Sequence, residues 1–310
     1  MTSTSYETSV DVESSTEATP PAPVIPTPPA NAVSYDLPKD PVITIRPSST
    51  WSALDLGSLW SYRELLVFLI WRDIKVRYKQ TILGATWAVI QPLVMMIVFT
   101  FFFSKLARIP TENIPSAAFY YTGLTAWIFF SNAALTAANS LLGNTNLITK
   151  VYFPRLIIPS AAVGASLVDL AIASALLIAL LFYYGFGVTL ETLALIPLSM
   201  ILTALALAVG ILFSALNTKY RDVRYALPFI LQVWMFVSPV IYPISMVPAE
   251  WRWVLILNPM TGVIEGFRSS LFGRPLNVWA ITHSAAFAAI LLLISAYAFK
   301  RMEKSFAEVI

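Results

Sequence analysis

The sequence predicts an all-α integral membrane protein, and three observations carry that prediction. Hydrophobic residues make up 57% of the 310 residues, charged residues only 12%, and mean hydropathy is +0.72. A globular protein carries about twice that charged share, so most side chains here face something other than water. The charge-free runs are long: residues 80–104, 113–149, 170–190, 192–218, 225–249 and 275–299 contain no Asp, Glu, Lys or Arg. The basic residues sit in short stretches between these runs, as orientation signals do. The net charge of +3 therefore does not point to nucleic acid. With no cysteine in the chain, disulfides, thiolate catalysis and cysteine-ligated metal are excluded.

Residues 1–50 hold 9 of the 21 prolines, many Ser and Thr, and six of the seventeen acids. Such a segment cannot bury enough apolar surface to offset its ordering entropy, so a disordered cytoplasmic tail is expected. It lacks the basic start and apolar run of a signal peptide. Residues 51–83 form the next region. Leu65–Trp71 is apolar, but Arg63, Glu64, Arg72, Asp73, Lys75, Arg77 and Lys79 crowd both sides, with Trp60, Trp71 and Tyr78 among them. That pattern predicts an amphipathic helix over 57–79 lying on the cytoplasmic leaflet, with Asp73 and Arg77 able to pair four residues apart.

Residues 84–310 form the membrane domain. A helix needs about 20 apolar residues to cross the hydrocarbon core, which predicts six spans: roughly 84–106, 118–142, 158–184, 191–214, 226–244 and 277–299. Between spans five and six, Pro248, Pro259, Gly262, Gly266, Gly273 and Pro275 break the chain into pieces too short to cross. Irregular backbone at membrane depth needs cover from protein or a water-filled cavity, so a re-entrant pair of half-helices is expected there. With the N-terminus inside, fifteen Lys and Arg fall in inner segments and five in outer ones. This positive-inside bias predicts a multi-pass protein with both termini cytoplasmic.

The search for chemistry returns mostly absence. There is no G-x-x-x-x-G-K-[ST] phosphate loop, and no spaced acidic pair in any loop; no catalytic residue and no metal site are predicted. The lone His283 reads as a helix-packing hydrogen-bonder. Asp169 is the one acid deep in a span. It reads either as a structural residue, bonded to a Ser, Thr or Asn of a neighbouring helix, or as a transport residue, and without a second ionisable partner ion coupling has little support. Glu265 and Arg268, three apart in the broken region, can pair and read as the mouth of a pore, or as marks of a surface helix. Phe99, Phe101, Phe102, Phe103, Phe119, Tyr120, Tyr121, Trp127, Phe129 and Phe130 gather towards the outer ends of spans one and two. An interfacial aromatic belt accounts for most of them. Four Phe within five residues go all round a helix, however, so some must face protein or a pore. Sugar rings, with apolar faces and hydrogen-bonding rims, suit such aromatics. Phe99, Phe103 and Trp127, with Glu265 and Arg268, are the candidates for a channel wall or gate.

Four stretches carry a resemblance: Trp71-Arg72-Asp73-Ile74-Lys75-Val76-Arg77-Tyr78-Lys79-Gln80 with Leu83-Gly84-Ala85-Thr86-Trp87 and Gln91-Pro92; Lys150-Val151-Tyr152-Phe153-Pro154-Arg155; Lys219-Tyr220-Arg221-Asp222-Val223-Arg224; and Leu257-Asn258-Pro259-Met260 running to Glu265-Gly266-Phe267-Arg268. Over roughly residues 55–310 the chain resembles the type-2 permease subunits of polysaccharide-exporting ABC transporters, which move O-antigen, capsule or teichoic acid. The resemblance implies a half-transporter of the bacterial inner membrane that pairs as a homodimer with two copies of a separate ATPase. ATP and Mg would bind that partner, and this chain would need no cofactor. It further implies that Lys150, Tyr152, Phe153 and Arg155, the interface helix with Arg72 and Lys75, and Tyr220, Arg221 and Asp222 receive the ATPase stroke. The cargo would be a lipid-linked glycan passing between protomers. A drug or lipid exporter is the nearer alternative. A membrane glycosyltransferase or polymerase, which needs clustered acids or a Lys/Arg/His constellation at a membrane face, is the more distant one.

Overall fold

A computed structural model describes residues 56–79, 86–303 and 306. The expected tail over 1–50 lies outside them. Every regular element among the described residues is helical. Two helices open the fold, α1 (Leu56–Ser61) and α2 (Arg63–Lys79), followed by α3 (Thr86–Phe99), which continues as a π-helical stretch Thr100–Leu106. Next come α4 (Ser116–Gly143), the short α5 (Thr145–Lys150) and α6 (Ile157–Tyr183). A 3-10 turn Leu190–Ala194 leads into α7 (Leu195–Lys219), then α8 (Val223–Val237), α9 (Arg252–Leu257), α10 (Pro259–Leu271) and α11 (Val278–Glu303).

Among the described residues, four helical segments are long and apolar enough to cross a membrane: Thr86–Leu106, Ile157–Tyr183, Leu190–Lys219 and Val278–Glu303. They coincide with the expected spans one, three, four and six. The second expected span is α4, 28 residues long but studded with Thr, Ser and Asn. It is the centre of the bundle. Ala133, Ala134, Ala137 and Ala138 are all buried in the core, and small side chains let helices approach closely where there is no hydrophobic drive between them. Against α4 pack α6 and α7, and α11 packs on α7.

The fifth expected span differs. It is the 15-residue α8, about 22 Å of helix at 1.5 Å per residue, where 226–244 was expected to be continuous. The reason is local: Ser238 precedes Pro239, whose ring drives the preceding residue out of the helical region, and Ser238 sits at φ −95°, ψ 147°. After an irregular stretch come the two expected short helices, divided at Asn258. This residue is extended, and its carboxamide oxygen caps α10 by accepting from Met260 N at 3.0 Å, with Pro259 in the first turn, where its missing N–H costs nothing. The same oxygen accepts from Trp234 Nε1 at 3.0 Å, and its nitrogen donates to Ser238 Oγ at 2.9 Å, so one side chain fastens the end of α8 to the start of α10. Almost every residue of α10 is buried.

Candidate functional site

One end of the bundle gathers the residues expected to meet an ATPase. α4 and α7 run parallel there, since Asn217 near the end of α7 donates to Ala138 O and Asn139 Oδ1 near the end of α4, each at 3.1 Å. A hydrophobic cluster binds this end together, joining Leu69 of α2, Ile148 of α5, Phe153 and Leu156 of the following loop, and Phe299 and Phe306. The candidates divide into two kinds. Lys150, Tyr152, Tyr220, Arg221 and Asp222 are exposed, Tyr152 at 84%. Phe153 is buried, and Arg155 is turned inward. Its guanidinium donates to Glu303 O at 2.9 Å, at the end of α11, and stands 5.8 Å from the Phe306 ring. A cation there also meets the negative end of the helix dipole. On α2, Arg72 pairs with its neighbour Asp73 at 2.8 Å, and Lys75 lies 5.1 Å over the Trp71 ring. The pair expected between Asp73 and Arg77 is not formed.

Arg77 turns instead to Asp169 of α6, as does the Tyr78 hydroxyl, one group on each carboxylate oxygen. The expected Ser, Thr or Asn partner for Asp169 is therefore replaced by a cation and a phenol from α2. Burial first, and then the hydrogen bond to an acceptor already carrying charge, push the Tyr78 phenol above its ordinary value. This clamp forms one wall of a cavity of about 370 Å³. Gln91 of α3, Asn132 and Thr136 of α4, and Ser166 of α6 supply amides and hydroxyls, and Trp87 and Phe129 supply ring surface. Asn132, Thr136 and Asn139 are exposed and recur at i, i+4 and i+7, which places them on one face of α4.

At the opposite end, Glu112 holds three segments together. Its carboxylate accepts from Ser245 and Arg274, and its backbone carbonyl accepts from Arg274 as well. Burial works against ionisation of Glu112, yet the Ser245 hydroxyl and the Arg274 guanidinium hold its carboxyl below the usual carboxylate range. Arg268 lies deeper. It is 1% exposed, donates to Glu265 Oε1 at 2.8 Å and to Val240 O at 2.9 Å, and stacks 3.6 Å over the Phe119 ring. Only glycine at position 123 leaves this room, since a Cβ there would stand 2.9 Å from Arg268 Nη2 and 3.1 Å from Val240 O. The Glu265–Arg268 pair forms, but Arg268 is enclosed by its own protomer rather than open at a pore mouth or headgroup surface.

The aromatics tell a similar story. Phe119, Tyr120, Tyr121, Trp127, Phe129 and Phe130 are all buried in the protomer, so the belt account fails for them. Phe99 is buried and packs edge-on against the half-buried Phe103 at 5.2 Å, and Trp127 packs tilted against Phe130 and edge-on against Trp234. Phe101 and Phe102 face outward instead. In this conformation Phe99, Trp127 and Arg268 offer no open surface to a cargo. His283 lies stacked on Trp279 at 5.8 Å. The polar face of α4 escaped sequence reading because the search followed charges and rings. An i, i+4, i+7 search for amides and hydroxyls inside apolar runs would have found it.

Residues 64–272, more than half of the chain, match the family described as ABC-2 type transporter. The chain belongs to that family. It is similar to the O-antigen export system permease protein RfbA of Myxococcus xanthus, 29% identical over 254 residues that cover 81% of this chain and 96% of the relative. A protein of the same name from Klebsiella pneumoniae is 28% identical, with 83% and 97% covered. The polysialic acid transport protein KpsM of Escherichia coli is 21% identical, with 76% and 93% covered.

Proposed function

We propose that this chain is the permease half of an ABC exporter that carries a lipid-linked polysaccharide, such as O-antigen, out across the bacterial inner membrane. In this reading it pairs as a homodimer with two copies of a separate ATPase, which bind ATP and Mg. The chain crosses the membrane six times, the fifth crossing being made by α8 together with the irregular stretch after Ser238, both termini are cytoplasmic, and α9 and α10 form the re-entrant pair. α2 lies at the inner headgroup level, where Arg63 over Trp60 and Lys75 over Trp71 suit anionic lipid. Exposed Lys150, Tyr152, Tyr220, Arg221 and Asp222 meet the ATPase, with Arg72 and Lys75 beside them.

The observation that carries the reading is the exposed amide and hydroxyl face of α4, Asn132, Thr136 and Asn139. Polar side chains within a span face the bundle interior or a water-filled cavity rather than lipid. A strongly hydrated glycan needs such a route, whereas a drug or lipid cargo calls for apolar walls. The three relatives named above, matched over nearly their whole length, bear names of polysaccharide carriers. The test is deletion of the gene in its own bacterium. Surface glycan should disappear while lipid-linked glycan accumulates inside, and normal surface glycan in the deletion strain would overturn the reading.

A further inference from the structure

The geometry points to the cavity between α2, α3, α4 and α6 as a binding subsite for one or two uncharged sugar residues of the cargo. This rests on the export reading and names the part of the glycan that the chain itself recognises. Volume sets the first bound. About 370 Å³ lies within the range of small-molecule sites, near its lower end. Charge sets the second. Arg77 and Asp169 are the charged groups among the described lining residues, and they face each other in an ion pair, so this part of the wall carries no net charge. A phosphate or uronate would have to displace Asp169 from Arg77 or sit against its carboxylate, whereas a neutral polyol meets no such opposition. Hydrogen-bonding capacity sets the third. Gln91 and Asn132 carry donors and acceptors side by side, and Thr136, whose hydroxyl donates to Asn132 O at 2.7 Å, adds an acceptor, matching hydroxyls that both donate and accept. The Thr125 hydroxyl, 2% exposed, lines the same space without a well-formed hydrogen bond, with the Tyr121 phenol as polar neighbour. Trp87 and Phe129 add the ring surface that the apolar face of a pyranose requires.

The position adds a consequence. One wall of the site is the clamp joining α2 to α6, so any displacement of α2 by a partner at the inner end would also reshape the subsite. Sugar occupancy and ATPase engagement would thereby act on the same helix.

The chain has no native cysteine, which makes the site directly testable. Thr136→Cys, and Asn132→Cys as a second reporter, would be prepared in the full permease–ATPase complex in lipid nanodiscs. Labelling by a small maleimide would be timed with a panel of neutral tetrasaccharides of glucose, galactose or mannose, with tetragalacturonate, or with inorganic phosphate. Glu250→Cys, exposed near the other end, is the control. At a sugar concentration twice its dissociation constant, labelling at position 136 should slow about threefold, the factor 1 + [L]/Kd for a single site, while position 250 is unaffected. Equal or stronger protection by tetragalacturonate or phosphate would overturn the neutral-sugar assignment. No protection of either reporter by any neutral tetrasaccharide would remove the subsite and leave the export reading standing. Normal surface glycan in the deletion strain itself would remove the export reading instead.

Discussion

Glu112 takes the Arg274 guanidinium and the Ser245 hydroxyl on one carboxylate, and the energetics of that contact follow from its ionisation. Its carboxyl titrates below the usual range in the folded protein. The sign is that of a depressed acid: the stabilisation is complete above the unfolded value, about 4.3, and is lost as pH falls through the lower folded value. The melting temperature of the purified protein should therefore drop in acid, and Glu112→Gln should lower it at neutral pH while flattening the acid dependence. Both side chains are 28% exposed, so the pair is worth only about 1 kcal/mol. An unchanged acid slope in Glu112→Gln would show that other carboxylates carry it. Asp169→Ala is expected to cost more, about 1–3 kcal/mol, because it strips an acceptor from two partly buried donors at once. Asp169→Asn, which keeps an oxygen for the Tyr78 hydroxyl, should recover part of that loss in thermal melts.

Between elements, α10 and α11 approach closely at Gly262. A Cβ at Gly262 would stand 2.3 Å from Ala280 O and 2.4 Å from Ser284 Oγ, backbone and buried side chain that cannot swing away. Gly262→Ala must push the two helices apart, and overpacking of this kind costs about 1–3 kcal/mol. Gly143→Ala is the matched control, because a Cβ there meets nothing within 4 Å. Thermal stability measured side by side should fall for the first and stay level for the second. The same element contact explains why the region between spans five and six keeps its two short helices: α10 is covered by α4, α7 and α11, and its polar Asn258 cap is satisfied inside the fold.

Across the whole molecule, the end that gathers Phe153, Phe299 and Phe306 sets buried anchors beside exposed side chains. Phe153 is 5% exposed and Tyr152, its neighbour, 84%. Phe153→Ala should destabilise the protein by about 3–5 kcal/mol, as other buried Phe truncations do. Tyr152→Ala should leave melting within about 0.5 kcal/mol of the parent yet reduce transport-coupled ATPase activity in the assembled complex. Loss of stability in Tyr152→Ala, or full coupling, would reverse the division of roles. Topology has its own check. In intact cells an impermeant thiol reagent should label Glu250→Cys and spare Asn146→Cys, and the opposite pattern would invert the orientation.

Composition and the charge-free runs were sufficient for the class, the helical fold and the positions of the long apolar segments, because hydrophobic burial is set by stretches of about 20 residues read locally. The broken region between spans five and six was equally legible, since Pro and Gly act on their own neighbours. Even the shortening of α8 was written locally, in the Ser238-Pro239 pair, although apolar content masked it. What only the tertiary structure decided were the partners. Asp169 meets Arg77 and Tyr78 across about ninety residues of chain, Arg155 reaches the end of α11, and the rings from Phe119 to Phe130 turn inward. Nothing local distinguishes a ring facing lipid from one facing a neighbouring helix, because both surroundings are equally apolar. Polar side chains within the apolar segments differ in just this respect: lipid offers them no partner, and only the packing of the whole fold decides that Asn132, Thr136 and Asn139 stay uncovered on α4.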